Sequence, residues 1–203
     1  PLKSCIPSEI LRIHHILEDT TAEGFGHRMC IWVQGCSNRC PDCMAKDTWD
    51  HNGGFPLAVS QLIEKMRQCR SKIEGITLLG GEPFDQALPV SRVANEAKKM
   101  GLSVITFTGY TLNKLMEKEL PGVKELLRET DLLIDGPYIR EQRSFSRPWV
   151  GSDNQQFHFL SNRYKPEDLE KVHNRIEMRI GRDGTLQTNG MADFSALFES
   201  LLE

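Results

Sequence analysis

The chain lacks any apolar run approaching the about 18 residues of a membrane span, so no membrane-embedded role is expected. It also lacks an excess of either charge. Its 25 Lys and Arg stand against 28 Asp and Glu, a formal net charge of −3, which excludes nucleic-acid binding by bulk charge. The first residues, Pro1-Leu2-Lys3-Ser4, carry no secretory h-region, and a cytoplasmic location is expected. There is no internal repeat and no low-complexity tract. Cysteine is too sparse for a disulfide scaffold, with six in 203 residues. What remains, 39% hydrophobic and 26% charged, is the composition of a globular domain long enough to bury a core.

The cysteines are not evenly spread. Cys5, Cys30 and Cys69 are isolated and read as small buried hydrophobes, since free cysteine is among the most buried residue types. Cys36, Cys40 and Cys43 fall within one short stretch, and clustered thiols in a reducing compartment point to metal binding or redox chemistry.

The apolar patterning predicts strands over 9–17 and 29–34, then a loop over 35–56 that carries the cysteine cluster. Val59, Leu62, Ile63 and Met66 share one face of a helix. Ile73–Leu79 reads as a strand that runs into Gly80-Gly81-Glu82-Pro83. A second helical stripe follows (Val90, Val93, Ala94, Ala97, Met100), with Gly101 as its stop. Leu102–Phe107 is a strand, two short helices flank Pro121, and Asp131–Asp135 is a strand ending at Gly136-Pro137. This alternation predicts βα units and a mostly parallel sheet. Beyond it lie a polar loop over 137–154 with Arg140, Arg143 and Arg147, and a strand over 156–160. A hairpin spans Ile176–Ile180 and Thr185–Thr188, and Phe194, Leu197, Phe198, Leu201 and Leu202 mark a last helix. Arg140, Arg143 and Arg147 are read as either a partner contact or a solvated loop. The six histidines have no spacing that demands a ligand role.

Gly35-Cys36-Ser37-Asn38-Arg39-Cys40-Pro41-Asp42-Cys43-Met44 is a CxxxCxxC motif. Zinc with His51 as fourth ligand is one reading, although structural zinc sites usually pair two CxxC knuckles. The other is an iron–sulfur cluster. Such clusters normally take four thiolates, so three leave one iron open for chemistry. In Gly80-Gly81-Glu82 the glycines permit close backbone approach to a ligand, and the carboxylate can accept a hydrogen bond from an ammonium. The plainer reading of that segment is a β-to-α turn.

Taken together, CxxxCxxC after an early strand and GGE after the next resemble the radical S-adenosylmethionine (SAM) superfamily. Further stretches resemble its glycyl-radical activase branch, the activating proteins of anaerobic ribonucleotide reductases. They are Val33-Gln34-Gly35-Cys36, Thr48-Trp49, Gly80–Phe84 with Gln86, Thr106–Tyr110, Leu133–Tyr138 and Gly151–Gln155. The resemblance covers about residues 10–160. Asp42 departs from it, because many superfamily members place an aromatic residue just before the third cysteine.

The resemblance implies an α/β fold, an incomplete (β/α) barrel with a C-terminal hairpin and helix. The core would span 1–160, with the cluster loop at 35–49, and an addition would span 161–203, either a cap or extra core. It implies a [4Fe–4S] cluster on Cys36, Cys40 and Cys43. It implies SAM along Asp42, Cys43 and Met44, with its methionine end on Gly80, Gly81 and Glu82. Thr106 and Thr108 are read as ribose contacts or as ordinary strand residues, and Asp135 as a cavity residue or a turn residue. The implied reaction is reductive cleavage of SAM and hydrogen abstraction from a glycine of a partner enzyme, with flavodoxin or a similar electron donor. Two alternatives stand beside it: a radical-SAM enzyme acting directly on a small molecule or peptide, and a zinc-stabilised binding module.

Overall fold

Four apolar segments pair in parallel at the centre of the fold. They are β2 (Arg28–Val33), β4 (Gly75–Gly80), β5 (Ser103–Phe107) and β6 (Leu132–Asp135). These near-continuous hydrophobic runs are what strands covered on both faces require. The computed structural model describes residues 9–192. Antiparallel strands extend the parallel centre on both sides. On one side are β1 (Ile10–Thr20) and β3 (Phe55–Ala58), and on the other is β7 (Gln156–Phe159). The resulting seven-stranded sheet has the order β3-β1-β2-β4-β5-β6-β7. The edge strands β3 and β7 are not paired with each other, which leaves the barrel-like sheet open.

The helices between the parallel strands are α1 (Val59–Cys69), α2 (Ala87–Lys99), α3 (Leu112–Glu117) and α4 (Val123–Glu129). They cover one face. Leu62 and Met66 of α1 and Val90, Val93, Ala94 and Ala97 of α2 pack there against Met29, Ile31, Val33, Ile76, Leu78, Val104 and Leu133. Cys69 joins this cluster and Cys30 is fully buried, as expected of packing cysteines, while Cys5 lies outside the described residues. The other face carries Ile105, Leu132 and Ile134 under Trp149 and Val150, with Phe25 stacked on Tyr164 at 4.5 Å. Strand alternation assigns each residue to one face or the other.

Two elements depart from the sequence expectation, while the expected C-terminal hairpin is present. The stretch read as loop through residue 56 ends in β3, whose Phe55-Pro56-Leu57-Ala58 pairs with the start of β1. Pro56 is tolerated because β3 is an edge strand. A short helix, α5 (Pro166–Leu169), follows β7, opened by Pro166 and by Asp168 accepting from Lys165 N–H. The hairpin of β8 (Ile176–Ile180) and β9 (Leu186–Gly190) forms its own two-stranded sheet. The helix expected from Phe194 onward lies outside the described residues.

The hairpin sits at the N-terminal end of the parallel strands. Glu177 accepts from Thr20 Oγ1 at 2.7 Å and Thr21 N at 2.7 Å, and Gly190 N donates to Glu23 Oε1 at 2.7 Å. At that same end Arg28 is wholly buried. Its guanidinium donates to Thr77 Oγ1, Ser103 Oγ, Tyr164 Oη and the carbonyls of Phe25, Ile76 and Ser103, so it closes the bottom of the sheet with neutral partners. The opposite, C-terminal edge is where the conspicuous motifs emerge, as ligand-binding loops of α/β sheets do. No helix among the described residues is long and apolar enough to cross a membrane.

Candidate functional site

Four loops meet at the C-terminal edge: 34–54 after β2, 81–86 after β4, 108–111 after β5 and 136–155 after β6. The first holds the cysteines and is tied down at both ends. Gly35 N donates to Thr48 O at 2.7 Å and Cys36 N to Trp49 O at 3.2 Å, which brings the returning Thr48-Trp49 strip under the start of the loop. Gln34 spans the loop from within, donating through Nε2 to Asp47 O and Asp50 O. Gln86 reaches the same region from β4's side and bonds Arg12 O and Gln34 O at 2.9 Å each.

The glycines of the 80–81 pair have steric tasks. Gly80 has φ +106°, and a Cβ there would lie 2.7 Å from the Trp32 backbone. A Cβ on Gly81 would lie 2.2 Å from Gly35 O. Only glycine lets the end of β4 press against the cluster loop this closely, and Glu82 N then donates to Gly35 O at 2.8 Å.

Glu82 is fully buried and its carboxylate is saturated. Oε1 accepts from Phe84 N at 3.0 Å and Thr108 Oγ1 at 2.9 Å. Oε2 accepts from Asn38 Nδ2 at 2.7 Å and Gly109 N at 2.9 Å. Burial pushes its pKa up to about 7 and outweighs these donors. Asn38 and Gly109 also line an open cavity of about 400 Å³ with Tyr110, Lys114, Glu117, Lys118 and Pro137.

Cys36 is buried, and Cys40 and Cys43 are half-buried. Burial pushes the Cys36 thiol up, partly offset by the Arg39 and Asn38 N–H groups. Burial does the same at Cys40, offset by the Tyr138 N–H and reinforced by the neighbouring Cys43. Binding iron must therefore release these protons. The donor set suits a cluster, which engages each thiolate at a different iron. The His51 ring lies against Gly35 and 4.0 Å from Asp85.

The remaining expected residues divide by face. Thr108 joins the site through Glu82. Thr106 does not: it shares the helix-side parity of Val104 and meets Thr130 Oγ1 at 2.9 Å. Asp135 likewise points to the helix side, where its carboxylate accepts from Leu112 N at 2.6 Å and so caps α3. Asp42 has φ 57°, and its carboxylate takes Arg140 Nη1 at 3.0 Å, so the 136–155 loop closes over the cluster loop. Met44 is 90% exposed. Arg147 is bound within its own loop, to Ser152 O and Asp153 O, while Arg143 lies over the Phe145 ring. Gln155 and Asn154 stitch that loop to Gly136 O and Pro137 O. Asn38 and Asp85 carry little mark of their role in the sequence. Their only signal was adjacency, inside CxxxC and three residues after Glu82.

The family described as "4Fe-4S single cluster domain" matches residues 22–158. The anaerobic ribonucleoside-triphosphate reductase-activating protein of Escherichia coli (strain K12) is 31% identical over 159 residues, 74% of this chain and 99% of that protein. Its Haemophilus influenzae counterpart is 33% identical, over 66% of this chain and 89% of that protein. The pyruvate formate-lyase 1-activating enzyme of E. coli (strain K12) is 34% identical, over 63% of this chain and 52% of that protein.

Proposed function

The chain belongs to the 4Fe-4S single cluster domain family, and from that premise we propose that it is a radical-SAM activase that installs a glycyl radical on a partner enzyme. An anaerobic ribonucleoside-triphosphate reductase is the partner the relatives favour. One observation carries the reading: the three-cysteine loop is locked against Gly81 and the buried Glu82 at the sheet's C-terminal edge.

Cys36, Cys40 and Cys43 would hold the cluster. Bound there and reduced, the cluster would supply the electron for reductive cleavage of SAM, and SAM would supply the 5′-deoxyadenosyl group that takes hydrogen from a partner's glycine. The protein's own share is placement and shielding. Glu82 accepts the ammonium of the methionine moiety, its Oε2 exchanging the neutral Asn38 amide for a charge-assisted bond. Gly80 and Gly81 offer backbone carbonyls beside it. Thr108 and Gly109 hold the carboxylate in place. The backbone of Asp42, Cys43 and Met44 would run along the cofactor. Thr106 and Asp135 are assigned to packing and to capping α3. Arg28 and the aromatic cluster of Phe25, Trp149 and Tyr164 close the far end against water.

The open edge of the sheet suits a macromolecular target, and exposed Met44 offers a contact for a flavodoxin-like electron donor. The hairpin docks at the opposite end of the strands, while Asn174 ahead of it bonds Trp149 N, Phe145 O and Arg147 O and so braces the 136–155 loop.

The test is electron paramagnetic resonance after anaerobic incubation of the reduced, reconstituted chain with SAM and an anaerobic reductase. A persistent glycine-centred doublet on the reductase is expected. Turnover of a small molecule with no protein radical would instead identify an enzyme acting directly on that molecule.

A further inference from the structure

Asp85 is left without a task by the site as described, yet it grips the cluster loop. Its carboxylate is nearly buried, with 9% of the side chain exposed. Oδ2 accepts the Ser37 N–H at 2.8 Å, and this is the first peptide after Cys36. Oδ1 accepts the Tyr110 hydroxyl at 2.9 Å. His51 Nε2 stands 4.0 Å from Oδ2, on the side where its ring packs against Gly35. The next loop residue, Asn38, is held by Glu82. Before a ligand binds, two carboxylates from one short turn therefore hold two successive residues of the three that separate Cys36 from Cys40, and the Asp85–Ser37 bond is the one that persists when Glu82 turns to the ammonium. The turn itself is rigid: a 3₁₀ segment over Pro83–Gln86, with Glu82 capping it through Phe84 N.

We infer that Asp85 is a positioning residue for the cluster, setting the path of the Cys36–Cys40 loop and keeping the bound cluster strongly reducing. The inference rests on the reading that Cys36, Cys40 and Cys43 hold a four-iron cluster. Partners just outside the ligands commonly orient them and tune the metal. Cluster potentials follow net charge and the hydrogen bonds available to sulfur. A carboxylate against the loop opposes the incoming electron. By taking the Ser37 N–H it also withholds a donor from the sulfurs. Both effects lower the potential, the direction that reduction of a sulfonium requires.

The experiment compares the reconstituted wild-type chain, Asp85→Asn and Asp85→Ala by iron content, redox titration and amide exchange over residues 35–40. Asp85→Asn keeps an acceptor for Ser37, so it should bind iron as wild type does while its midpoint potential shifts upward. Asp85→Ala should also shift upward and exchange about tenfold faster at Ser37, as expected for losing one hydrogen bond to a charged acceptor. Wild-type potential and exchange in both variants, with iron intact, would overturn the role of Asp85 alone. Failure of the wild-type chain to bind iron would instead remove the cluster reading on which it rests.

Discussion

Replacing Glu82 by Gln should remove a pH dependence that the wild-type chain carries in two forms. Burial holds the Glu82 pKa at about 7, against an ordinary 4.5. In the unfolded chain this carboxylate ionises first, so between pH 4.5 and 7 the unfolded state binds fewer protons than the folded state. Stability therefore falls as pH rises through that window. The gap amounts to about 3 kcal/mol, fully present as a loss above pH 7. Denaturant unfolding of the cluster-free chain at several pH values should show this decline, and Glu82→Gln should flatten it by that amount whatever its absolute stability. The second form concerns ligand binding. An ammonium needs the ionised carboxylate, whose fraction rises from about 0.1 at pH 6 to about 0.9 at pH 8. The affinity of the reconstituted chain for SAM should therefore rise roughly tenfold over that range and level off above it. Glu82→Gln should bind weakly and without that slope. Equal slopes in wild type and variant, in stability and in affinity, would refute the assignment of Glu82 as a buried carboxylate awaiting a cation.

Further outcomes follow from the same geometry. Gly81→Ala places a Cβ 2.2 Å from the Gly35 backbone oxygen, which cannot move aside as a flexible side chain would, and should abolish iron incorporation while circular dichroism retains the helical and strand signal. Arg28→Leu strips the donors from six buried or half-buried oxygens and should cost about 3 kcal/mol or more in denaturant unfolding, with no new site created at that end. Glu177, although burial opposes it, is held at about 2 by bonds from Thr20, Thr21 and Arg179. Its contribution should be present above pH 4.5 and vanish as pH falls through 2. Because the side chain is only half-buried, Glu177→Gln should cost about 1 kcal/mol at neutral pH, read from loss of amide protection in the hairpin.

The parallel centre was legible because its strands are short apolar runs, each closed by glycine-bearing turns, and helices with clear 3.6-residue stripes separate them. β3 escaped notice because a four-residue edge strand containing Pro56 has too little pattern to separate it from the loop around it. The cysteine loop and GGE stand out by residue type and spacing, and the structure brings the two segments together at one edge of the sheet. Thr106 and Asp135 illustrate what spacing alone does not reveal. Both sit near strand C-termini, where ligands bind, but alternation along β5 and β6 turns them to the helix layer. Counting from buried Val104 and Leu133 would have assigned that face. Asp85 was invisible for a different reason. Its partner is the backbone N–H of Ser37, 48 residues away, and a backbone group leaves no mark in the sequence.

The proposed function turns on Cys36, Cys40 and Cys43 holding a four-iron cluster whose open iron would meet SAM. Its most direct test is anaerobic reconstitution with iron and sulfide, reduction, and low-temperature electron paramagnetic resonance with and without SAM, together with assay of 5′-deoxyadenosine. The account predicts a reduced four-iron signal that SAM perturbs, 5′-deoxyadenosine formed at the expense of SAM, and the loss of both in Cys40→Ala. A wild-type chain that takes up no cluster, or whose signal ignores SAM and yields no 5′-deoxyadenosine, would contradict it.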